Sequence, residues 1–419
     1  MTEEYLKITG GRPLHGEISV QGAKNSALPL MAAALLCEGE TVLTNVPQLS
    51  DVYAACRILN RLGCRSTAEG NTVRIVRESA EVYEIPDEDM RAMRSSIMFL
   101  GPILGSMMRC TLTMPGGCEL GPRPINLHLD AMRAMGVRIR EGAGRMFCMA
   151  EKLTGARIHL PIPSVGVTEN VLMAAVCAEG ETVLTNAACE PEIGDLAGFL
   201  NQCGAEIRGA GSHTVVIRGG SRLHGTEYRV MPDRIAAMTY LCAGAAAGGG
   251  ICLHDAAPND MKSCLDLLEQ AGCRIGVCGD RIFLDRTGPL KSISYIRTMP
   301  YPGFPTDSQA AVMSMLSIAH GTSVMIETIF ENRYRHVREL CSMGADIVTE
   351  GKVAVIKGVE ALTGACVSAA DLRAGTALAV AGLAAHGSTV IENVRLIDRG
   401  WQDMEDNLRS LGASIERES

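Results

Sequence analysis

The sequence predicts an α/β protein of two domains, each built from three βαβαββ units. The chain has 419 residues, more than a single hydrophobic core usually supports. A first signature, in which a helix of small residues is followed by glycine and a β-branched strand, recurs at a period of about 70 residues. A second signature, in which a helix ends at glycine before an alternating strand, recurs with the same period. Strands that alternate with two helices per unit indicate sheets with helices packed on them.

Each signature appears six times. The first covers 39–45 (GETVLTN), 109–115 (RCTLTMP), 180–186 (GETVLTN), 250–256 (GICLHDA), 321–327 (GTSVMIE) and 387–393 (GSTVIEN). The second covers 61–66 (RLGCRS), 134–139 (AMGVRI), 202–207 (QCGAEI), 270–275 (QAGCRI), 342–347 (SMGADI) and 410–415 (SLGASI). The glycines of the second set are typical helix C-caps, and the alternation after them is typical of a half-buried strand.

Composition limits the possible functions. The net charge of -8 gives no general basic surface for nucleic acid, so any anion site must be a local cluster of Arg and Lys. Sixteen cysteines form no Cys-x-x-Cys pair, and the acidic start MTEEYLKI has no apolar signal region, which predicts reduced thiols and a cytoplasmic location. The longest uncharged run, 235–253, is rich in Ala and Gly and predicts a buried helix leading into a strand, not a membrane span.

Alignment of the six units places polar residues at two strand-to-helix turns, where free N–H groups form potential anion sites. The first turn carries Lys24 and Asn25, Arg94 and Ser95, Ser164 to Gly166, Asp233 and Arg234, Thr306 and Asp307, and Arg373. The second carries Ser50 and Asp51, Cys118 to Arg123, Glu190 to Glu192, Asn259 and Asp260, Asn332 and Arg333, and Asp398 and Arg399.

Two interpretations of these turn residues remain open. Asp51, Asp233 and Asp260 also fit ordinary N-caps, and the arginines also fit surface ion pairs. A cation at a helix N-terminus opposes the helix dipole, however, so Lys24 and the arginines indicate an anionic partner. His128 and His336 suggest no partner and are expected to be core or surface residues.

The loop 115–128 (PGGCELGPRPINLH) combines one thiol, Cys118, with one guanidinium, Arg123. Its glycines allow positive φ and its prolines stiffen the second half. One interpretation is a surface turn with an inert cysteine. The other is a reactive thiol, since a nearby cation lowers the pKa of a cysteine.

This loop, together with five further motifs, resembles the UDP-N-acetylglucosamine 1-carboxyvinyltransferase family of the EPSP synthase-like superfamily. The motifs are GAKNSALPL at 22–30, GFPTD at 303–307, FENR at 330–333, DLRA at 371–374 and IDRG at 397–400. The resemblance implies two inside-out α/β barrel-like lobes with helices in their cores, joined by a two-segment hinge. One lobe would comprise residues 1–23 and 232–419, the other residues 24–231, and the cleft between them would be the active site.

The resemblance also implies an activity: transfer of the enolpyruvyl group of phosphoenolpyruvate to the 3-hydroxyl of UDP-N-acetylglucosamine, with release of phosphate, at the start of bacterial peptidoglycan synthesis. Lys24, Arg123 and Arg399 would hold the phosphate, and Asn25 would help to position phosphoenolpyruvate. Arg373, supported by Arg333, would face its carboxylate. The catalytic residues implied are Cys118, Asp307, Lys24 and Arg399.

In these implied roles Asp307 would accept the hydroxyl proton, for which its ordinary pKa is low unless burial raises it. Cys118 would be the general acid, able to form a thioether with phosphoenolpyruvate and to react with the epoxide antibiotic fosfomycin. Its loop would close over the site. No metal or cofactor is implied, and no nucleic acid or membrane partner.

The sugar nucleotide would contact a further set of residues. These are Arg94, Arg123, Pro124, Ile125, Asn126, Leu127, Ser164, Val165, Gly166, Asp307 and Ile329. Two departures from the family pattern affect this set, because some relatives have Lys at the position of Ile162 and Asp at the position of Asn126. Neither departure removes a proton-transfer group.

Two alternatives differ from this interpretation. The shikimate-pathway enolpyruvyl transferase also uses phosphoenolpyruvate, but it has no loop like PGGC and carries a different lysine-serine signature near its start. A non-catalytic paralogue that binds the sugar nucleotide would need neither an acid nor a base, whereas this chain retains Cys118 and Asp307. A phosphate-release assay with each acceptor separates the three.

Overall fold

The computed structural model describes residues 4–79, 81–93, 95–113 and 125–419. The chain alternates strands and helices in the predicted order. The strands are β1 (Tyr5–Thr9), β2 (Leu14–Ser19), β3 (Glu40–Thr44), β4 (Cys64–Glu69), β5 (Thr72–Arg77), β6 (Arg109–Thr113), β7 (Arg138–Gly142), β8 (Arg145–Met149), β9 (Arg157–His159), β10 (Glu181–Thr185), β11 (Glu206–Arg208), β12 (Thr214–Arg218), β13 (Glu227–Arg229), β14 (Gly249–His254), β15 (Arg274–Cys278), β16 (Arg281–Arg286), β17 (Ile296–Arg297), β18 (Thr322–Ile326), β19 (Asp346–Glu350), β20 (Val353–Lys357), β21 (Cys366–Ser368), β22 (Ser388–Glu392) and β23 (Ser414–Glu418).

The helices fall between these strands. They are α1 (Lys24–Ala33), α2 (Ser50–Arg61), α3 (Asp87–Ala92), α4 (Leu100–Met107), α5 (Ile125–Ala134), α6 (Val165–Ala175), α7 (Pro191–Gln202), α8 (Arg234–Ala247), α9 (Lys262–Gln270), α10 (Gln309–Leu316), α11 (Val337–Ser342), α12 (Leu372–Ala384) and α13 (Met404–Ser410). Short 3₁₀ turns include Thr306–Ser308 before α10 and Val394–Leu396 before the Arg399 turn.

Contacts divide the chain into two compact units. The split unit contains the described residues up to 21 together with residues 232–419, and the continuous unit contains the described residues between 22 and 231. Every strand pairing named below lies within one unit. Each unit has its own hydrophobic core.

The split unit places helices inside and sheets outside. Helices α8, α10 and α12 pack on one another and are buried almost along their whole length, because their Ala-, Gly- and Ser-rich sequences carry no polar stripe. Around them lie three four-stranded sheets, ordered β21-β22-β1-β23, β15-β16-β14-β2 and β17-β18-β20-β19. The run 235–253 is helix α8 followed by β14, as the sequence predicted.

The continuous unit repeats this plan with α1, α4 and α6 as its buried helices. Its sheets are ordered β11-β12-β10-β9, β13-β3-β5-β4 and β6-β8-β7. The predicted α/β class, with three βαβαββ repeats around an inside-out core in each half of the chain, is therefore confirmed.

Two strands pair away from the repeat that they precede in the sequence. Strand β2 comes just before α1 but pairs in parallel with β14, and β13 comes just before α8 but pairs in parallel with β3. Strand β1 completes the sheet of the last repeat by pairing with both β22 and β23. Chain order alone does not specify these exchanges, because parallel partners can be distant in sequence.

The glycine of the second signature ends a helix in every repeat. All six have positive φ, between 89° and 106°, which disfavours any residue with a Cβ. They are Gly63, Gly136, Gly204, Gly272, Gly344 and Gly412. The C-cap prediction is confirmed.

Candidate functional site

Asp307 is held by two guanidinium groups in the split unit. Arg333 Nη2 donates to Asp307 Oδ1 at 2.5 Å, and Arg373 Nη2 donates to Asp307 Oδ2 at 2.9 Å. Asp307 lies in the 3₁₀ turn before α10, and Arg373 lies in the first turn of α12. The buried helices of this unit therefore bring predicted turn residues of different repeats into direct contact.

The arginines determine the charge state of Asp307. Burial alone would raise the pKa of its carboxyl, but the opposite charges of Arg373 and Arg333, with a further contribution from Arg234, hold the pKa well below its ordinary value. The side chain of Asp307 is 28% exposed, whereas those of Arg333 and Arg373 are 4% and 12% exposed. In this arrangement Asp307 is a carboxylate at neutral pH and a weak base.

Aromatic rings support two of these cations. The guanidinium carbon of Arg373 lies 5.3 Å from the ring centroid of Trp401, and that of Arg333 lies 5.4 Å from the ring of Phe330. Arg333 Nη2 also donates to the carbonyl of Thr306 at 3.3 Å. A planar guanidinium fixed by a ring and by two acceptors has little freedom to turn away.

Glu327 organises the surroundings of Asp307 although the sequence did not single it out. It is 1% exposed, and its carboxylate accepts from Thr306 Oγ1 at 2.9 Å and from the backbone N–H groups of Ile329 and Phe330 at 2.7 and 3.0 Å. It follows directly after β18, in the position where four other repeats carry Asn or Asp. The alignment of this position across the repeats is the sequence signal that could have identified Glu327.

Arg399 lies in a turn whose two sides are fixed. Asp398 accepts two hydrogen bonds from Arg417 at 3.0 and 2.7 Å, and Gln21 bonds the backbone of Gly400 and Gln402 at 3.0 and 2.8 Å. A Cβ at Gly400 would lie 2.6 Å from Leu372 Cδ1, so glycine allows this turn to approach the start of α12. Arg373 stands in that same first turn.

In the continuous unit Lys24 is the first residue of α1. Its Nζ lies 2.6 Å from Asp51 Oδ2, in the first turn of α2, with side-chain exposures of 12% and 4%. A largely buried ammonium requires such a counter-charge. Asp51 therefore is not a simple N-cap; of the three aspartates considered for that role, Asp233 caps α8 through the N–H groups of Ile235 and Ala236.

The start of α1 is anchored by a half-buried aspartate that no sequence motif indicated. Asp195 accepts from Ser26 Oγ at 2.5 Å, from Tyr228 OH at 2.8 Å and from the backbone N–H of Met231 at 3.2 Å. Burial raises the pKa of Asp195 despite these donors. Asn25, adjacent to Ser26, is exposed to solvent. The anchor thus fixes the backbone on which Lys24 and Asn25 stand.

Asn170 on α6 connects Gly166, one of the residues predicted to bind the sugar nucleotide, to neighbouring parts of the continuous unit. Its side chain donates to Ile97 O and to Gly166 O, accepts from Gly101 N, and lies 3.0 Å from His128 Nδ1. A Cβ on Gly166 would lie 3.3 Å from His128 Cε1, so the imidazole packs closely on this glycine. His128 is 8% exposed and His336 is 1% exposed; both are core residues, one of the two outcomes expected.

The remaining predicted acceptor residues lie at helix starts or on the surface. Ser164 precedes α6, and Val165 and Gly166 form its first turn. Ile125, Asn126 and Leu127 form the first turn of α5, with Asn126 exposed, and Ile329 is 40% exposed. Four predicted site residues, Arg94, Cys118, Arg123 and Pro124, lie outside the described residues.

Three carboxylates gather near the start of α7. Glu169 on α6 and Glu192 on α7 are 5% and 4% exposed, and Glu190 is the N-cap residue of α7. Burial, followed by the negative charges of Glu192 and Glu190, raises the pKa of Glu169 well above its ordinary value. Burial and the two neighbouring carboxylates therefore both favour the protonated form of Glu169.

Comparison with known proteins identifies the class to which this fold and these residues belong. The sequence profile of the EPSP synthase (3-phosphoshikimate 1-carboxyvinyltransferase) family matches residues 8–408. Among solved structures, the enolpyruvyl transferase NikO from Streptomyces tendae superposes with a TM-score of 0.89 at 25% identity, covering 99% of each chain. EPSP synthase from Acinetobacter baumannii, at 20% identity and a TM-score of 0.76, shares the fold. The chain belongs to the EPSP synthase family.

Its similar relatives narrow this assignment. UDP-N-acetylglucosamine 1-carboxyvinyltransferase 2 from Caldanaerobacter subterraneus is 47% identical over 412 residues, covering 98% of this chain and 99% of the relative. UDP-N-acetylglucosamine 1-carboxyvinyltransferase from Zymomonas mobilis is 47% identical over 423 residues, covering 99% of each. Within the family, the chain belongs to the UDP-N-acetylglucosamine 1-carboxyvinyltransferases. No helix among the described residues is long and apolar enough to cross a membrane.

Proposed function

We propose that this chain is an enzyme that transfers the enolpyruvyl group of phosphoenolpyruvate to the 3-hydroxyl of UDP-N-acetylglucosamine and releases phosphate, the first committed step of peptidoglycan synthesis. The observation that carries the proposal is that Arg333 and Arg373 both bind the carboxylate of Asp307. It is made in a chain that is 44–47% identical to proteins named UDP-N-acetylglucosamine 1-carboxyvinyltransferase. A pair of guanidinium groups that binds one carboxylate can also bind the carboxylate of a substrate.

The reaction is an addition followed by an elimination. The acceptor hydroxyl adds to C2 of phosphoenolpyruvate while C3 gains a proton, and the hydroxyl proton passes to a base. The C–O bond to phosphate then breaks as C3 loses a proton, which leaves the enol ether and inorganic phosphate. The chain must therefore supply an acid, a base and positive charge for the phosphate and carboxylate.

Arg373 and Arg333 bind the carboxylate of phosphoenolpyruvate in this proposal. Before the substrate arrives, Asp307 occupies Nη2 of both side chains. Trp401 and Phe330 keep the guanidinium planes in place while the partner changes. Two rigid cations already turned toward a carboxylate need little reorganisation to accept another.

The same exchange gives Asp307 the basicity that its role requires. A bound phosphoenolpyruvate adds negative charge beside Asp307 and takes over part of the positive charge of Arg333 and Arg373. Both changes raise the pKa of Asp307, since like charges disfavour ionisation and lost cations no longer stabilise it. Asp307 becomes a competent proton acceptor for the acceptor hydroxyl when the reactive substrate is bound.

Lys24, Arg399 and Arg123 bind the phosphate, and Asn25 helps to position phosphoenolpyruvate. Asp51 keeps the Lys24 ammonium at the start of α1, and the fixed turn around Gly400 presents Arg399. A lysine that shares its protons between Asp51 and a phosphate can follow the leaving group as its charge grows.

Cys118 is the general acid, and its sulfur is the nucleophile that opens the epoxide ring of fosfomycin to form an S–C bond while the ring C–O bond breaks. The acceptor is bound by Asp307 together with Arg94, the segment 123–127, the start of α6 and Ile329. That set is Arg94, Arg123, Pro124, Ile125, Asn126, Leu127, Ser164, Val165, Gly166 and Ile329. Asn170 supports it indirectly, since its hydrogen bonds join Gly166, Ile97 and His128. A cytoplasmic location and the absence of nucleic-acid and membrane partners remain predictions.

Turnover tests the proposal directly. The full chain is incubated with phosphoenolpyruvate and one acceptor, and phosphate release is measured. We expect release with UDP-N-acetylglucosamine and none above background with shikimate 3-phosphate. Release only with shikimate 3-phosphate would assign the chain to the other transferase, and tight binding of UDP-N-acetylglucosamine without release would identify a non-catalytic binder.

Labelling tests the role of Cys118 separately. Wild type should take up one equivalent of fosfomycin, detected by intact-protein mass spectrometry, and Cys118→Ser should take up none and turn over slowly. Cys278→Ser, which removes another thiol that is exposed, is the matched control and should label fully. Unchanged labelling of Cys118→Ser would contradict the assignment.

A further inference from the structure

We propose that Glu17, Cys252 and His254 form a binding site for a divalent transition-metal ion of the zinc class. The three side chains each offer one donor atom, and these atoms lie within 4.8 Å of one another. Among the described residues they form the one group of three such donors that meets this distance.

Sheet geometry brings the three donors to one face. Cys252 and His254 are two residues apart on β14, so their side chains project to the same side of the sheet. Strand β2 pairs in parallel with β14, and Glu17 stands directly opposite Cys252 in the register. The intervening residue Leu253 is fully buried on the opposite, core-facing side. The donor face is therefore the outer face of the sheet.

The distances suit a tetrahedral ion. His254 Nε2 lies 3.8 Å from Cys252 Sγ. Ligands of zinc at about 2.3 Å for sulfur and about 2.0–2.1 Å for nitrogen are about 3.6 Å apart at a tetrahedral angle. His254 Nε2 also contacts Glu17 Oε2 directly, so the same nitrogen faces both other donors. A small opening of the His254–Glu17 contact places one ion between all three, with water as the fourth ligand.

Accessibility also favours binding. The side chain of Glu17 is 65% exposed and that of His254 is 27% exposed, whereas Cys252 is 8% exposed at the floor of the group. An ion can thus enter from solvent and meet a softer, more enclosed sulfur donor beneath, which binds the metal as its thiolate. Thiolate, imidazole and carboxylate together match the preference of Zn²⁺ and the chemically similar Co²⁺. The exposed Arg281 beside Cys252 can turn toward solvent.

Internal repeats show that this donor pair is particular to one strand. In four repeats the equivalent strand ends just before a residue of positive φ, which aligns the positions: Asn45, Asn186, Asp255 and Asn393. The position three residues before the residue of positive φ is Cys252 in this strand and valine in the other three repeats (Val42, Val183 and Val390). The position one residue before it is His254 in this strand and Thr44, Thr185 or Glu392 in the others. Since valine serves the fold at the aligned positions, folding alone does not require a thiol at Cys252.

A metal at this site would cross-link the edge strand β2 to its neighbour β14. Strand β2 is the edge strand in the order β15-β16-β14-β2, and the chain leaves the split unit two residues after its end. A metal that joins Glu17 to β14 adds a cross-link to the strand whose other side has no partner in that sheet. Metal binding should therefore protect β2 against local opening and raise the thermal midpoint.

Cobalt titration of the full chain tests the site. After removal of metals with a chelator, Co²⁺ should bind one equivalent and give a thiolate-to-cobalt charge-transfer band together with intense visible bands of tetrahedral cobalt. Added Zn²⁺ should abolish both bands. Loss of an outer-shell partner already costs about 10–100-fold in affinity, so Cys252→Ser and His254→Gln should each weaken binding at least about tenfold.

Matched variants make the result decisive. Cys278→Ser and Cys366→Ser should keep the bands; Cys366 is a useful control because its Sγ lies 3.7 Å from Glu392 Oε1 with no histidine in the pair. Glu17→Gln changes an exposed side chain and leaves the fold intact, so weaker Co²⁺ binding in that variant supports a ligand role. Absence of the charge-transfer band in wild type, or its persistence in Cys252→Ser, overturns the proposal and leaves only a hydrogen bond between His254 and Glu17.

Discussion

Replacing Asp307 with asparagine tests the central contact of the candidate site. The substitution keeps the shape of the side chain but removes the charge to which Arg333 and Arg373 donate at 2.5 and 2.9 Å. It also removes the proposed proton acceptor. Stability, substrate binding and turnover should respond differently to the same change, which makes the variant more informative than an activity loss alone.

The expected magnitudes follow from the burial of the groups. Loss of a general base typically costs about 10²–10⁴-fold in rate, so kcat should fall by that factor. Breaking a buried ion pair costs about 3–5 kcal/mol, and because Asp307 is 28% exposed we reduce this to about 2–4 kcal/mol. For a unit of about 200 residues this corresponds to a thermal midpoint lowered by roughly 4–16 °C.

Phosphoenolpyruvate should reverse part of that destabilisation. Arg333 and Arg373 no longer have to release Asp307, so the variant should bind phosphoenolpyruvate more tightly than wild type. Ligand at about 100 times its dissociation constant stabilises by about 2.7 kcal/mol, and the gain in thermal midpoint should be larger in Asp307→Asn than in wild type. This opposite movement of binding and turnover is specific to the exchange of partners proposed here.

The assay combines phosphate release, thermal unfolding with and without phosphoenolpyruvate, and calorimetry with UDP-N-acetylglucosamine. Asp346→Asn is the matched control, because Asp346 pairs with Lys357 at 3.7 Å on the exposed surface and should change stability by no more than about 1 kcal/mol. A kcat within about fivefold of wild type would refute the role of Asp307 as the base. Weaker phosphoenolpyruvate binding in the variant would refute the partner exchange.

Three further predictions concern charged groups in the interior. Asp51→Asn leaves the Lys24 ammonium without its carboxylate, so chemical denaturation should show a loss of about 3 kcal/mol that phosphate in the buffer partly restores; an unchanged stability would mean that Lys24 has another sufficient partner. Burial lowers the pKa of His336 from 6.5 to about 4, so between these pH values the folded state binds fewer protons than the unfolded state. About 3 kcal/mol of stability that is present above pH 6.5 should therefore be lost as pH falls through 4. Urea titrations of wild type and His336→Gln from pH 8 to pH 4 should differ in this window, and parallel curves would contradict the assignment. Burial raises the pKa of Glu169, so the contribution of this group to the free energy of unfolding is fully present below the ordinary carboxyl pKa and declines as pH rises. Urea titrations of Glu169→Gln should lack this decline. A decline that persists in the variant would show that another group titrates.

Local sequence patterns were sufficient to predict much of the fold. The two six-fold signatures predicted the helix ends at glycine, the alternating strands and the α/β class, because caps and alternation depend on residues close together in the chain. The strand exchanges of β2 and β13 could not be predicted in the same way. A parallel strand finds its partner through packing of the whole unit, and β2 and β14 are more than two hundred residues apart.

The candidate site, like the fold, could be predicted from the sequence only in part. Aligned repeats placed Lys24, Asp307 and Arg373 at helix starts, and the two cations indicated an anionic partner because a cation there opposes the helix dipole. The pKa of Asp307 was open, since burial and cations act in opposite directions and sequence does not say which is stronger. Contact with Arg333 and Arg373 decides that its pKa falls.

By itself, the sequence determined the family, the repeat and the residue types that stand at each helix start. Only the tertiary structure decided which of those side chains meet: Asp51 with Lys24, and Asp307 with two arginines. It also brought Glu17 to Cys252 and His254, a group with no signature in the linear chain. The physical reason is that electrostatic and ligand interactions act over a few ångströms in space, and sequence separation carries no information about such distances.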